Sequence, residues 1–162
     1  MDFAEFYASA KDDCLRAVLA STGDLPTAED LVAEAFARAW AAWRKVSGHP
    51  SPQAWVVRTA LNTRVSWWRR HRREVAVGQA EGLADAPSGD GVDPVDTQLM
   101  AAVARLPLRQ RQVVGLRLFL DLDTARTAEV LGIAPGTVTA HMARAIAALR
   151  EEFTSARGQE KR

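Results

Sequence analysis

Helical periodicity runs through almost the whole chain and is broken at one long segment. Apolar residues recur at helical spacing from about residue 2 to residue 75, and again from about residue 94 to residue 153. Between them, AVGQAEGLADAPSGDGVD at 76–93 is rich in Gly, Pro, Ser and Asp, which favour turns. Strand alternation is missing. We therefore predict an all-α chain with two small helical domains, 1–75 and 94–153, a flexible linker at 76–93 and a disordered tail at 154–162.

Three helices are predicted in the first block. The first covers about residues 2 to 20, and the second begins at Thr27, whose side chain would form a capping box with Asp30. Ser51 and Pro52 would start the third helix as its N-cap and first helical residue. The second helix carries one apolar stripe that we expect to be buried, made of Val32, Phe36, Trp40 and Trp43.

The second block ends in the strongest local motif. Helices are predicted at 94–105, 107–120, 123–131 and 135–153, and the last two are joined by TARTAEVLGIAPGTVTAHMA at 124–143. Ala128 is small where two helices would cross, Gly132 suits a left-handed turn, and Val138 and Met142 are apolar anchors. This pattern predicts a helix-turn-helix. Its outward residues would be Thr137, Thr139, Ala140, His141 and Arg144.

Composition narrows the function classes. With 21 basic and 20 acidic residues among 162, the bulk charge says nothing by itself about nucleic acid, but the arginines that cluster at the end of the third helix suggest a phosphate-facing surface. Cys14 is the only cysteine, which excludes an internal disulfide and favours a cytosolic chain. We find no membrane-length apolar run, signal peptide, Gly-rich phosphate loop or zinc-ligand spacing. We expect a cytoplasmic protein that is not an enzyme and uses no metal or other cofactor.

Three motifs in order resemble one family. AEDLVAEAFARAWAAW at 28–43, PQAWVVRTALNTRVSWWRRHRR at 52–73 and LPLRQRQVVGLRLFLDLD before the helix-turn-helix are similar to sigma factors of the extracytoplasmic-function (ECF) group. The tandem Trp-Arg run is most similar to an actinobacterial subgroup. Residues 2–75 would be region 2 and residues 95–152 region 4, with nothing matching region 3. The resemblance implies a factor that binds RNA polymerase core enzyme and directs promoter-specific transcription initiation.

The resemblance assigns the second helix to polymerase binding. In such factors this helix docks on the β′ clamp helices, which makes Asp30, Glu34 and Arg38 core-binding candidates; the β flap is a further family contact. Their spacing of four places the three on one helix face. Without the resemblance, a solvated ladder with a Glu34–Arg38 pair, worth about 0.2–0.5 kcal/mol, would be the simpler interpretation. Ala33 stands where many members have Gln.

The third helix would read and open the minus-10 element by the same resemblance. Asn62 falls at the family's characteristic Asn, an amide can hydrogen-bond base edges, and arginines hold phosphates. The loop at 46–51 would help to form a pocket for a flipped base. We expect Trp55 and Trp67 in the core, and leave open whether the arginines only complement the helix dipole. The minus-10 candidates are His49, Asn62, Ser66, Trp68, Arg69, Arg70 and Arg73.

The helix after Gly132 would read the minus-35 element. Members of the family commonly carry Lys or Arg at the position of Thr139 and Arg at that of His141, so we expect weak binding there. A hairpin used only for packing is the alternative for this motif. For the whole chain, the competing hypothesis is a stand-alone helix-turn-helix regulator, which would normally need a dimer surface. Members of the family are commonly restrained by an anti-sigma protein, so the resemblance implies such a protein as a further partner.

Overall fold

The computed structural model describes residues 1–74 and 94–160, and the side chains of residues 1–70 and 97–160. The predicted linker at 76–93 therefore lies outside the described residues, as do the side chain of Arg73 and the last two residues. All regular structure in the described part is helical, which confirms the all-α prediction. Its elements are α1 (Phe3–Thr22), α2 (Leu25–Ala41), α3 (Trp43–Val46), α4 (Pro52–Glu74), α5 (Pro94–Ala104), α6 (Leu108–Val114), a π-helical turn (Gly115–Phe119), α7 (Thr124–Leu131) and α8 (Pro135–Glu160).

Caps define where the first helices begin. Asp2 and Glu5 form a capping box at the start of α1, and α1 ends at Gly23, whose φ of 69° is left-handed. Helix α2 begins two residues before our prediction, because Asp24 accepts a hydrogen bond from the Thr27 amide at 2.9 Å. The predicted cap at Thr27 was therefore wrong: a proline in the first turn suits the earlier start. Ser51 caps α4 as predicted, accepting from the Ala54 amide at 3.3 Å.

The N-terminal core forms where α1, α2 and α4 pack together. Val32 and Phe36 are buried in it as predicted, and Trp43 packs against it half-buried. Trp40 is 65% exposed, so its assignment to the buried stripe was wrong. Its ring meets the edge of Phe3 at a centroid distance of 5.0 Å, but α2 ends one residue later and leaves the rest of the ring uncovered.

The C-terminal helices differ from their predicted bounds at two places. The predicted helix 107–120 is an α-helix only to Val114 and then widens into the π-helical turn, after which Asp121 adopts a positive φ of 50°. Helix α8 continues to Glu160, so the predicted disordered tail was wrong for residues 154–160. The Thr154 hydroxyl donates to the Arg150 carbonyl at 2.7 Å within this added stretch, which contains no proline.

The two helical groups pack against each other. Helix α1 contacts α6 and the π-helical turn, and α4 contacts α7. Leu116, Leu120 and Leu122 of the C-terminal group belong to the N-terminal core, while Ala20 of α1 belongs to a C-terminal cluster with Val103 and its neighbours. We call this surface, where α1 and α4 meet α6, the π-helical turn and α7, the seam. The helical pattern by itself does not predict that the two groups pack together.

Candidate nucleic-acid and polymerase interface

The α2 ridge, made of Asp30, Glu34 and Arg38, lies on the surface as predicted. Asp30 and Arg38 are exposed and Glu34 is half-exposed. Glu34 and Arg38 form an ion pair within the helix. Ala33 is exposed beside them. Its side chain is a single methyl group, so it adds less contact surface to the ridge than a longer side chain would. The ridge can contact a partner without any rearrangement of the helix.

Helix α4 presents the polar face that its periodicity predicted. Asn62, Ser66, Arg69 and Arg70 are exposed. On the opposite side, Val56 and Ala60 are fully buried and Thr63 is 5% exposed. The Thr63 hydroxyl donates to the Thr59 carbonyl at 2.9 Å. This arrangement leaves an amide, a hydroxyl and two guanidinium groups exposed on one side of α4.

A cavity joins the α2 ridge to the polar face of α4. It has a volume of about 190 Å³, and both helices contribute walls. The resemblance assigned polymerase binding to α2 and DNA reading to α4. In the structure, Arg38 of α2 and Asn62 of α4 line the same cavity. The Glu34–Arg38 ion pair forms part of the wall. The lining residues are Glu34, Arg38, Asn62, Thr63, Ser66, Trp67 and Arg70.

The loop before α4 holds His49 against its own backbone. The imidazole Nδ1 lies 3.0 Å from the amide nitrogen of Ser51 and 2.8 Å from its carbonyl oxygen. Because Ser51 also caps α4, hydrogen bonds join the loop to the start of the helix. His49 is half-buried and is not among the residues that line the cavity with Asn62. Its position supports a structural contribution to the loop.

The tryptophans of α4 divide between the core and the surface. Trp55 and Trp67 pack half-buried against the N-terminal core, as predicted. Trp68 is 56% exposed. It lines a groove of about 510 Å³ that crosses from α4 to α6. The groove has apolar walls and three polar side chains, and its residues are Leu61, Arg64, Val65, Trp68, Arg69, Leu108 and Gln112.

The helix-turn-helix is built as its motif predicted. Asp123 caps α7 by accepting from the Arg126 amide at 2.7 Å, and Gly132 takes a left-handed φ of 65° between α7 and α8. Ala128 and Val138 are buried in one cluster with Val113. These contacts fix the angle between the two helices and turn the first residues of α8 outward.

The outward face of α8 is narrower than predicted. Thr137, Thr139 and Arg144 are exposed, and the Thr139 hydroxyl donates to the Pro135 carbonyl at 3.2 Å. Ala140 is half-buried. His141 is half-buried as well, and its Nδ1 atom is buried with no hydrogen-bond partner among the described residues.

Helical spacing predicts His141 on the outward face with Thr137 and Arg144, but the structure turns it partly inward. In α8 it follows buried Val138 by three residues and precedes buried Ala145 by four, which draws its ring toward the packed face. Arg144 is therefore the exposed cation at this end of the predicted reading face.

Sequence reasoning missed the residues that hold the seam. Ser21 of α1 is fully buried and accepts hydrogen bonds from Arg64 of α4 and Gln112 of α6. Gly115 touches α1 directly. A glycine inside an apolar helical pattern was the one available signal, since it often marks a close approach of two backbones. No similar signal exists for Ser21.

The described residues contain neither a membrane-spanning helix nor a metal-binding cluster. No helix there is long and apolar enough to cross a membrane. No group of three or more His, Cys, Asp or Glu side chains in that part of the chain could hold a metal ion. The free thiol of Cys14 is buried, and burial, followed by the charge of Asp13, raises its pKa to about 12.

Comparison with known proteins identifies both helical groups. The family model of sigma-70 region 2 matches residues 6–74, and that of sigma-70 region 4 matches residues 96–149. The RNA polymerase sigma-E factor of Streptomyces coelicolor is 32% identical over 157 residues, or 96% of this chain and 88% of that protein. The ECF RNA polymerase sigma factor SigL of Mycobacterium tuberculosis is 34% identical over 140 residues, or 83% of this chain and 79% of that protein.

Solved structures share the fold. The sigma factor RpoE of Bartonella quintana, crystallised with the anti-sigma factor NepR, matches with a TM-score of 0.77 and 24% identity. The match covers 94% of this chain and 97% of that one. CnrH, in complex with the cytosolic domain of CnrY, matches with a TM-score of 0.60 and 20% identity over 94% of this chain and 88% of that one. The chain belongs to the ECF group of the sigma-70 family of RNA polymerase sigma factors.

Proposed function

We propose that this sigma factor binds core polymerase through the α2 ridge and opens promoter DNA against the polar face of α4. The α2–α4 cavity is the observation that carries this proposal, because it joins the ridge and the reading face in one continuous surface. A DNA strand separated on this face would lie beside the polymerase clamp helices that hold the ridge. The chain itself catalyses no reaction in this scheme, and it acts in the cytoplasm with core enzyme.

The cavity has groups suited to one unpaired nucleotide. The Asn62 amide can donate to and accept from a base edge, and Arg70 can hold the adjoining phosphate. Trp67 supplies an apolar wall. Because Glu34 pairs with Arg38, the guanidinium is oriented while part of it stays open to a ligand, with 55% of the Arg38 side chain exposed. We therefore propose that Arg38 contacts the melted strand as well as belonging to the ridge.

The exposed residues of α8 would read the minus-35 element in the major groove. Thr137 and Thr139 can contact base edges or phosphates near the helix N-terminus, and Arg144 can hold a phosphate farther along. Ala140 and His141 contribute less in this proposal because both are half-buried. We further propose that an anti-sigma factor binds this chain, which is supported by the complex in which the Bartonella quintana neighbour was solved.

Transcription with purified core polymerase tests the proposed function. We expect the chain to co-elute with core enzyme on gel filtration, and the pair to start transcripts at a small set of sites in sheared genomic DNA. The chain alone should bind the same fragments weakly. If the free chain bound specific DNA tightly as a dimer and never co-eluted with core, a stand-alone regulator would be the better description.

A further inference from the structure

Three large apolar side chains are exposed together where α4 passes α6. Val65, Trp68 and Leu108 have exposed fractions of 50%, 56% and 42%. All three line the groove of about 510 Å³ between these helices, which we call the α4–α6 groove. Apolar side chains exposed singly are ordinary, but a cluster of them in one concave surface marks a binding site. The volume falls within the range of about 300–1,000 Å³ that small-molecule sites occupy.

The α4–α6 groove is distinct from the α2–α4 cavity. Among the described residues, the two share no wall: Asn62, Ser66 and Arg70 line the cavity, whereas Trp68 and Arg69 line the groove. The resemblance placed all five at the minus-10 element. In the structure they divide between two sides of α4, so Trp68 and Arg69 lie outside the cavity that suits an unpaired nucleotide. The groove can therefore hold an occupant of its own.

The polar groups of the groove are positive or neutral. Arg64 and Arg69 contribute guanidinium groups, Gln112 contributes an amide, and neither Asp nor Glu is among the described residues that line it. Arg64 is a half-buried cation: burial lowers its pKa, and the nearby charge of Arg111 lowers it further. In the described part of the chain, no carboxylate forms an ion pair with any of these arginines. An anion in the groove would offset this positive charge.

Arg64 has N–H groups left for such an anion. Its hydrogen bonds to described residues use Nη1, which donates to the Ser21 carbonyl at 3.0 Å and lies 3.3 Å from the Ser21 hydroxyl. Arginine presents several N–H donors in a planar fork, so Nε and Nη2 remain for a ligand. Two parallel N–H groups of this kind match the two oxygens of a carboxylate. Because Ser21 already orients the guanidinium, less conformational entropy is lost when a ligand binds.

We propose that the α4–α6 groove is a binding site for a small aromatic carboxylate. The carboxylate binds Arg64 and Arg69, and the ring packs against the Trp68 indole between Val65 and Leu108. Offset packing of flat rings is favourable. A phosphate monoester carries nearly two negative charges, which are costlier to desolvate against apolar walls. The site goes beyond the proposed function, because the chain binds this ligand without polymerase or DNA.

Titration of the full chain with naphthoate tests the site. The chain has five tryptophans, whose indole N–H signals in proton–nitrogen correlation NMR report on separate places. Trp68→Phe assigns the Trp68 signal. We expect naphthoate to shift that signal saturably and to change little at Trp40, which is 65% exposed but lies outside the groove. Naphthamide, which has the same rings without the charge, should bind about 10-fold more weakly.

Matched variants separate the groove from its surroundings. Arg69→Gln should weaken naphthoate binding about two- to fivefold, as for an exposed ion pair, while Arg70→Gln, outside the groove, should leave it unchanged. Leu108→Asn should weaken it about fivefold, whereas Leu118→Asn, similarly exposed but outside the groove, should not. Arg64→Lys keeps the charge but removes the fork, and should weaken binding about 10-fold. If Arg64→Lys does not fold, the other two pairs still decide.

Several outcomes would overturn the proposal. Equal shifts at Trp40 and Trp68 would show adsorption to any exposed ring, and equal losses in Arg69→Gln and Arg70→Gln would show attraction to bulk charge. Naphthamide that binds as tightly as naphthoate would remove the charged contact. Absence of saturation at about 10 mM naphthoate, where a site with a Kd of about 1 mM would be nearly full, would remove the site. A Trp68 shift with a short single-stranded oligodeoxynucleotide but none with naphthoate would assign the groove to DNA instead.

Discussion

Arg38 gives the sharpest test of the α2–α4 cavity. It was predicted from the sequence as a polymerase contact, yet in the structure it lines the same space as Asn62. If Arg38 holds the melted strand, Arg38→Ala should impair promoter opening even at saturating core enzyme, in addition to any loss of core affinity that it causes as a member of the ridge. If it serves only the ridge, the same variant should lose affinity for core enzyme and open promoters normally once bound.

The expected magnitudes separate a folding effect from a functional one. The Glu34–Arg38 pair is an exposed i,i+4 ion pair, so its loss should cost about 0.3–0.5 kcal/mol of stability. In a chain of this size that lowers Tm by about 1–2 °C. A hydrogen bond from a charged donor contributes about 1.5–3 kcal/mol. Its loss should reduce the equilibrium constant for promoter opening by about 10- to 100-fold.

Opening is measured by permanganate reactivity of unpaired thymines at saturating core enzyme, and core affinity by fluorescence anisotropy. Arg157→Ala, an exposed arginine on α8, controls for the loss of one positive charge. Arg38→Ala, Asn62→Ala and the double variant form a cycle. If the fold-loss of opening in the double variant equals the product of the two single fold-losses, the two side chains act independently. A loss of core affinity with normal opening in Arg38→Ala would refute our placement of Arg38 at the DNA.

Three further outcomes follow from the structure. Charge reversal at Asp30, which lies on the ridge but does not line the cavity, should weaken core binding measured by anisotropy, while the opening step of the complexes that still form stays close to wild type. Arg144→Ala should reduce the slope of log affinity of the holoenzyme for promoter DNA against log salt by about one, and Thr139→Lys should raise it by about one. The pKa of Cys14 is raised from 9.0 to about 12, so the fold favours its neutral thiol. That contribution to stability is complete below about pH 9 and is lost as pH rises toward 12. Urea unfolding of Cys14→Ala should therefore show less weakening above pH 9 than wild type, and identical curves would contradict the burial effect.

Several features of this protein were determined by short stretches of sequence. Ser51 with the following proline starts α4, because a cap hydroxyl and a proline in the first turn act locally. Gly132 takes the left-handed turn between α7 and α8 that its motif demands. The polar face of α4, with Asn62 and Ser66, follows from a period of 3.6 residues. Such features depend on neighbours within one or two turns, and a linear pattern contains that information.

Other features depended on which surface covers a given face. Periodicity put Trp40 and Val32 on the same stripe, but only the tertiary structure showed that Val32 is buried in the N-terminal core and that Trp40 stays 65% exposed. His141 was assigned outward by its spacing, while packing of the buried residues on either side turned it partly inward. A period fixes the direction in which a side chain points relative to its own helix. It does not say where the neighbouring helix ends.

The seam and the shared cavity were decided by the tertiary structure alone. Ser21, Arg64 and Gln112 are far apart in the chain, and each is unremarkable in its own segment. Arg38 and Asn62 likewise meet only because α2 packs on α4. Long-range contacts of this kind arise from the complementarity of two finished surfaces. A single sequence encodes those surfaces residue by residue, but their fit depends on side-chain volumes and helix crossings that emerge only when the helices are packed.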